Sequence, residues 1–560
     1  MLPEQPLSPL YYRDNFCRLC ETVQSQYADI LSHDEIEHLQ SFHAASLDAQ
    51  CLYVRLISRT GPLFRTSKLH YPEISDMAAA LLELVNGALV VPYEVLDIDD
   101  LAALYTRKEL EEMFCDRLAS QALPKKATTK GDLINAIDAL ELTSEDIAHY
   151  RATVDSGEIV SPSGEETVAL LQLLFFGNRH QSLTQFVLED LGVAKFYPYA
   201  LHPEHRLFSC RESVEEYLCC AELADARYAL LDNDQAEALP ELAREVLRFN
   251  VRFESTRQRW NKLCNRLARD LERQQDWEQA LALYARSQSH PARERSARIL
   301  EKTEQWQSAS AVCEAILSQP LNEAEHEAAQ KIGPRLLKKL NGTRTKRHRD
   351  AFDELQLCIV QGEGSVEQLA ALELEHYWSR VHYVENSLMN ALFGLAFWPV
   401  IFADRPGVFH HPFQRAPADM YDGAFQSNRE ALVKKRFELL EAEDLARLIG
   451  EAYDEYCLYQ NHWVDWRFID KEMLEEAVRV IPSEHLTAIW KRILFDPQEN
   501  RTGFPDLIAF GERAGEYALI EVKGPGDALQ NNQKRWLRFF QENAIPAKVA
   551  WVSWHEQQND

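Results

Sequence analysis

The chain has 560 residues, 46% hydrophobic and 10% aromatic, which is enough for about three or four domains with real cores and excludes a disordered or fibrous chain. A formal net charge of −28 excludes a uniformly basic surface, yet contact with phosphates needs only a local basic patch. No apolar run reaches the roughly 18 residues of a spanning helix, the N-terminus has neither a basic region nor an apolar h-region, and the eleven cysteines show no disulfide-like framework. The expectation is a soluble intracellular protein with no membrane partner.

Residues 1–100 read as a helical domain. YYRDNFCRLCETVQSQYADIL patterns as one amphipathic helix, and Ser32 with Glu35 forms a capping box that opens a second. Cys17, Cys20, His33 and His38 match a Cys₂His₂ zinc spacing of C-x₂-C, twelve residues, then H-x₄-H. The reading goes against zinc, because the first pair in a zinc finger sits on a hairpin and here it falls on a helix. Arg55, Arg59, Arg65 and Lys68 gather around a Gly-Pro turn, where they either contact a nucleic-acid backbone or solvate the loop.

Residues 101–150 carry leucines at helical spacing and Thr129-Lys130-Gly131-Asp132-Leu133-Ile134 at a helix start. This segment resembles a SAP module, a small DNA-binding helix-loop-helix unit, with Lys125, Lys126 and Lys130 facing phosphates. The other reading is a plain three-helix spacer. Across 151–370 a repeat shows: Trp277, Ala280 and Tyr284 recur 29 residues later as Trp306, Ala309 and Cys313. A large and a small residue on one helix face let successive helix pairs stack, the logic of a TPR-like solenoid. Near its end Arg335, Lys338, Lys339, Arg344, Lys346, Arg347 and Arg349 collect without an acid among them.

Residues 371–560 hold the chemistry. VENSLMNALFGLAFWPVIF reads as a helix with Leu388, Leu392, Leu395 and Trp398 in an apolar stripe and Glu385 at its polar start. Leu507 to Phe510 is a short apolar run, Gly511 and Gly515 mark a turn, and Tyr517 to Val522 reads as a buried strand. Asp506 and Glu521 thus land at adjacent strand ends, with Lys523 on the same face as Glu521. Two carboxylates and the Val522 carbonyl are hard oxygen ligands for Mg²⁺ or Mn²⁺, and such an ion offsets the charge that makes a phosphodiester resist attack. A hairpin with ordinary surface charges is the bland alternative.

Pro505-Asp506 followed by Glu521-Val522-Lys523 resembles the PD-(D/E)XK nuclease superfamily. Gln533-Lys534-Arg535-Trp536, with GFPDL and EVKGP, narrows this to the VRR-NUC branch. The Arg335 to Arg349 run reads by itself as a solvated loop, and beside such a domain it gains a second reading as a DNA contact. The whole order, LYVRLISR, LFFGNRHQSLTQFVLEDLGV, the Glu385 segment and GFPDL to NNQKRW, resembles the Fanconi-associated nuclease family. The fold expected is multidomain and mainly α, with a helical N-terminal region, a SAP-like module, a TPR-like array and a C-terminal α/β PD-(D/E)XK nuclease domain.

The resemblance implies a Mg²⁺- or Mn²⁺-dependent phosphodiesterase that cuts 5′ flaps and degrades 5′→3′ in interstrand-crosslink repair, with branched or flapped DNA as partner. It assigns catalysis to Glu385, Asp506, Glu521, Lys523 and Gln533, and metal to Glu385, Asp506, Glu521 and Val522. DNA contacts fall on Arg55, Arg59, Lys125, Lys126, Lys130, Lys338, Lys339, Arg344 and Arg347. Animal members carry a long head with a ubiquitin-binding zinc finger, whereas this chain starts almost in the helical core; a compact bacterial member, cytoplasmic and nucleoid-associated on DNA, is expected, with ubiquitin not a partner. A eukaryotic member would be nuclear. Two rivals stay open: a VRR-NUC nuclease of other specificity, such as a junction resolvase or restriction-like enzyme, and a TPR scaffold with a vestigial nuclease domain.

Overall fold

Helix Tyr11–Tyr27 forms because Tyr12, Phe16, Leu19, Cys20, Val23 and Tyr27 recur three or four residues apart and are all buried. The next helix, His33–Ala44, opens on the expected capping box: Ser32 Oγ accepts from the Glu35 amide at 3.3 Å, and Glu35 Oε2 accepts from the Ser32 amide at 2.7 Å. The cysteine pair therefore sits on a helix. Cys20 is packed in the core and the His38 ring bonds the Tyr53 hydroxyl at 2.8 Å.

The computed structural model describes residues 8–59, 61–118, 129–181, 195–342, 350–360 and 362–555. It divides into two compact units, Met1–Ala194 and Lys195–Asp560. In the first, β1 (Phe64–Arg65), β2 (Val90–Pro92) and β3 (Ile159–Pro162) form an antiparallel sheet in the order β1-β3-β2. Gly164, at φ +78°, lets the backbone after β3 close against the His38 ring, where a Cβ would collide. This tie moves a boundary, because the segment after 150 joins the N-terminal unit and not the helical array. Among the described residues the SAP-like segment has the short helices Ile98–Leu104, Arg107–Met113, Lys130–Asp138 and Ser144–Val154, each opened by its own capping box, and a single further turn, Cys115–Leu118. Leu101, Leu110, Leu133, Ile137 and Ile147 share their core.

In the second unit the repeat is real and reaches the backbone. Ala280, Tyr284, Ala309 and Cys313 are all buried. Gln275 and Glu304, each two residues before its tryptophan, both adopt a left-handed turn at φ +66° and +60°. Lys302 lies over the Trp277 ring at 4.6 Å and Lys339 over the Trp306 ring at 5.4 Å, so each repeat covers its half-buried tryptophan with a lysine.

The nuclease sheet has five strands, β4 (Glu354–Ile359), β5 (Arg380–Tyr383), β6 (Leu507–Phe510), β7 (Tyr517–Lys523) and β8 (Ala547–Trp554), in the order β4-β8-β7-β6-β5. β4 and β7 run parallel to β8, and β6 runs antiparallel to β5 and β7. Since β4 belongs to this sheet, the division placed at 370 cuts through the nuclease fold. Leu507, Ala509, Ala518, Ile520 and Val522 face one apolar layer with Ala370 and Leu374. Ile508, Phe510, Tyr517 and Leu519 face the other, with Trp536, Phe540 and the helix Ser387–Ala396. Every residue from Leu388 to Ala396 is buried, so that helix is enclosed all round and not striped on one side. Trp398 begins a separate short turn, Trp398–Ile401, where Pro399 supplies no amide.

Candidate active site

The β6–β7 register pairs Leu507 with Ile520, so Asp506 and Glu521 stand together one step beyond it. Asp506 is fixed by both of its oxygen-bearing groups. Its Oδ2 accepts from the Val522 amide at 2.9 Å, and its carbonyl accepts from the Val384 and Glu385 amides at 2.9 and 3.0 Å. The second contact carries Glu385 to the site. A residue's amide and carbonyl share one edge of a strand, so the Val522 carbonyl also faces the side where β6 has ended and no ladder partner remains.

Glu521 shares the face of Tyr517 and Leu519, under the helix Asn531–Glu542. Its Oε1 accepts from Lys523 Nζ at 2.7 Å and from Gln533 Nε2 at 2.6 Å. Oε2 is buried with no donor opposite it. The Q-x-x-W spacing divides the labour: Gln533 reaches the carboxylate while Trp536 is buried, stacked on Phe504 at 4.0 Å and bonded to the Thr502 carbonyl at 3.1 Å.

Glu385 departs from expectation. It lies two residues before the helix, exposed, in the left-handed region at φ +32°. Its carboxylate accepts from the Tyr383 hydroxyl at 2.7 Å and from Asn386 Nδ2 at 3.2 Å, not from helix amides. Such a backbone in a non-glycine residue is strain held by its surroundings, here by the Asp506 carbonyl. Tyr383 and Asn386 are site residues that the sequence did not disclose. Asn386 Oδ1 also accepts from the Gly503 and Phe504 amides at 2.9 and 3.2 Å, pinning the loop that leads to Asp506. No motif marks either residue.

The set fits a hard divalent cation. The orphaned Glu521 Oε2, the Asp506 carboxylate and the Val522 carbonyl are oxygen donors converging at the strand ends, with Glu385 beside them. Among the described residues no three His, Cys, Asp or Glu side chains already stand as a metal cage; the carbonyl is needed, and the Glu385 carboxylate is turned to Tyr383. Burial, and then Asp506, push the Glu521 carboxyl up to about 8, and burial also raises Asp506. A carboxyl that holds its proton in the fold costs the metal-free protein stability as pH rises from its ordinary value toward 8, in full above that. Metal needs the ionised form, so Mn²⁺ affinity of the metal-free protein should rise by up to about tenfold per pH unit between 6 and 8, with proton release. Calorimetric titration in buffers of different ionisation enthalpy measures both, and equal affinity at pH 6 and 8 contradicts the assignment.

The basic candidates meet mixed fates. Arg55 pairs with Glu73 at 2.6 Å over the Tyr12 ring, and Arg65 is buried between Asp155 and Glu109, so the charge of each is matched within the fold. Arg59 is exposed and donates to the Tyr71 hydroxyl. Lys130 Nζ donates to the Ala102 carbonyl at 2.5 Å, capping a neighbouring helix and not facing outward as expected. Lys338 and Lys339 are exposed in the last turn of helix Glu323–Asn341, and Arg335 pairs with Glu301 at 2.6 Å. Lys125, Lys126, Arg344, Lys346, Arg347 and Arg349 lie outside the described residues.

Comparison with known proteins bears on the whole arrangement. The VRR-NUC domain matches residues 440–554, the FAN1 HTH domain residues 10–91, and the Fanconi anemia-associated nuclease SAP domain residues 95–145. A Fanconi-associated nuclease 1 homolog of Pseudomonas aeruginosa is 35% identical, across 99% of this chain and 97% of its own. Human Fanconi-associated nuclease 1 is 23% identical, across 98% of this chain and 63% of its own. A crystal structure of paFAN1 bound to 2nt 5′ flap DNA with gap superposes with a TM-score of 0.81 at 33% identity, covering 99% of this chain and 100% of that one. With the three domains in their order and a relative this similar over both lengths, the chain belongs to the Fanconi-associated nuclease family.

Proposed function

We propose that this nuclease is a structure-selective DNA phosphodiesterase, using Mg²⁺ or Mn²⁺ to cut 5′ flaps and to degrade DNA 5′→3′ in interstrand-crosslink repair. The observation that carries the reading is the pairing of Asp506 and Glu521, with Lys523 on Glu521, in a fold whose similar structure was solved on 5′ flap DNA. A divalent ion bound at these oxygens supplies Lewis-acid stabilisation of the charge that develops on the phosphoryl group. Gln533 and Lys523 hold Glu521 by one oxygen and leave the other toward the site. Lys523 keeps further N–H donors that can orient an attacking water or meet a non-bridging oxygen. The Val522 amide fixes the Asp506 carboxylate against rotation.

The test is digestion of end-labelled 5′ flap, blunt duplex and single-stranded DNA with either ion. The flap should be cut at least about tenfold faster than the blunt duplex, because only a branched substrate reaches several separate contacts at once. Equal rates on flap and blunt duplex would remove the structural selectivity, and no cutting of any substrate with either ion would remove the enzymatic reading.

A further inference from the structure

The segment that ends at Asp506 begins at Arg501, and the surroundings of that guanidinium are chemically one-sided. Arg501 Nη1 stands 3.1 Å from the Tyr421 hydroxyl and 3.1 Å from His462 Nε2, while the same hydroxyl lies 2.7 Å from His462 Nδ1. A guanidinium only donates, so Nε2 is the acceptor and the neutral ring carries its proton on Nδ1. Burial, then Arg501 and Arg415, push the His462 pKa down to about 4, which agrees with a neutral ring. Nδ1–H then donates to the Tyr421 oxygen. That oxygen accepts from both neighbours, and its own hydrogen is left to point elsewhere.

Arg415 joins the group through the backbone, since its carbonyl accepts from the His462 amide at 3.1 Å, and its charge reaches both Tyr421 and His462. In the same unit Arg429, Arg492, Arg535 and Arg538 are each matched to a carboxylate. Among the described residues neither Arg415 nor Arg501 is, although the chain carries 88 acidic residues against 60 basic ones. What this cluster has unspent is therefore all donors: the Tyr421 hydroxyl, the remaining Arg501 N–H groups and the Arg415 guanidinium. The complement of such a set is an anion with several acceptor oxygens in a fork, which is the geometry of phosphate.

Its position is tied to the catalytic residues. The Arg501 carbonyl accepts from Asn390 Nδ2 at 2.8 Å, on the helix that follows Glu385. Gly503, at φ +89°, packs so tightly that a Cβ would lie 2.8 Å from the Asn532 carbonyl carbon, which fixes the path between Arg501 and Asp506. Five residues of extended chain span at most about 17 Å, on the order of five base-pair rises.

We propose that Arg501, Arg415, Tyr421 and His462 form a phosphate subsite that seats a phosphate of the nucleic-acid strand near the scissile bond. The inference rests on the DNA phosphodiesterase reading above and is tested apart from cutting. Arg415→Gln and Arg501→Gln proteins, with Tyr421→Phe, are titrated in EDTA with fluorescent 5′ flap DNA at several salt concentrations, with thermal melting to report the fold. Each arginine change should weaken binding about tenfold and lower the salt slope by about one; Tyr421→Phe should weaken binding without changing the slope. A loss confined to 5′-phosphorylated DNA assigns a terminal phosphate, and an equal loss on 5′-hydroxyl DNA assigns an internal diester. Arg415 is exposed, so its variant reports even where Arg501→Gln unsettles the packing. Unchanged affinity and slope in folded Arg415→Gln overturn the subsite while wild-type cutting leaves the phosphodiesterase reading intact; absence of wild-type cutting with Mg²⁺ and Mn²⁺ overturns that reading instead.

Discussion

Asp506→Ala or Glu521→Ala is expected to slow cleavage of an end-labelled 5′ flap by about a thousandfold or more while leaving DNA affinity nearly unchanged. Each change removes one of the two carboxylates that can hold a cation, and the remaining one cannot substitute because its position is fixed: Asp506 by the Val522 amide, Glu521 by Lys523 and Gln533. Affinity is expected to come from basic contacts to phosphates elsewhere on the chain, which these substitutions do not touch. Single-turnover digestion beside anisotropy in EDTA separates the two effects. Substantial cutting by either variant under Mg²⁺ would sink the assignment. Lys523→Ala should also lose most activity yet still take up Mn²⁺, because its nitrogen holds Glu521 and is not an oxygen ligand.

The largest effect on stability is expected from Asp419→Ala. Arg429 is almost wholly enclosed, with its guanidinium 2.7 Å from Asp419, bonded to the Val400 and Phe425 carbonyls and lying over the Phe425 ring. Removing the carboxylate strands a buried cation and takes the partner from Asn428 Nδ2 as well. A loss of about 3–5 kcal/mol follows, read as a clear drop in melting temperature. Asp419→Ala with Arg429→Met should recover much of it, since the charge is then gone together with its partner. A single variant that melts like wild type would show that the carbonyls alone satisfy the guanidinium.

The centre of the site was legible because strand-end chemistry is local. Leu507 to Phe510 and Tyr517 to Lys523 announce two adjacent strands by burial pattern and by the glycines between them, and Asp506 and Glu521 follow from that register. β4 and β5 were not legible. ELQLCI and RVHY are short, partly exposed edge strands whose partners lie far along the chain, so nothing near them in sequence forces the pairing. Glu385 is legible in the sequence but reads as part of the helix, because periodicity detects the apolar helix and not the carbonyl of Asp506 that holds the turn before it. Charge clusters were the least informative: composition counts Arg55, Arg65 and Lys130 as basic, and only the fold shows that Glu73, Asp155, Glu109 and the Ala102 carbonyl already occupy them.

The strand order β4-β8-β7-β6-β5 puts the two earliest strands at the margins of the sheet and the three latest at its middle. On the ribosome, at about 5–20 residues per second, β4 and β5 wait on the order of ten seconds or more for neighbours, and β4 pairs with β8 alone. A message broken before Ala547 yields a polypeptide holding Glu385, Asp506 and Glu521 but with β4 unpaired and β7 open along one edge, a species for chaperones and proteases to clear. The strand that completes the sheet is thus the last of the five to be made, after every residue of the cutting centre, and without it those residues stand on a sheet one neighbour short.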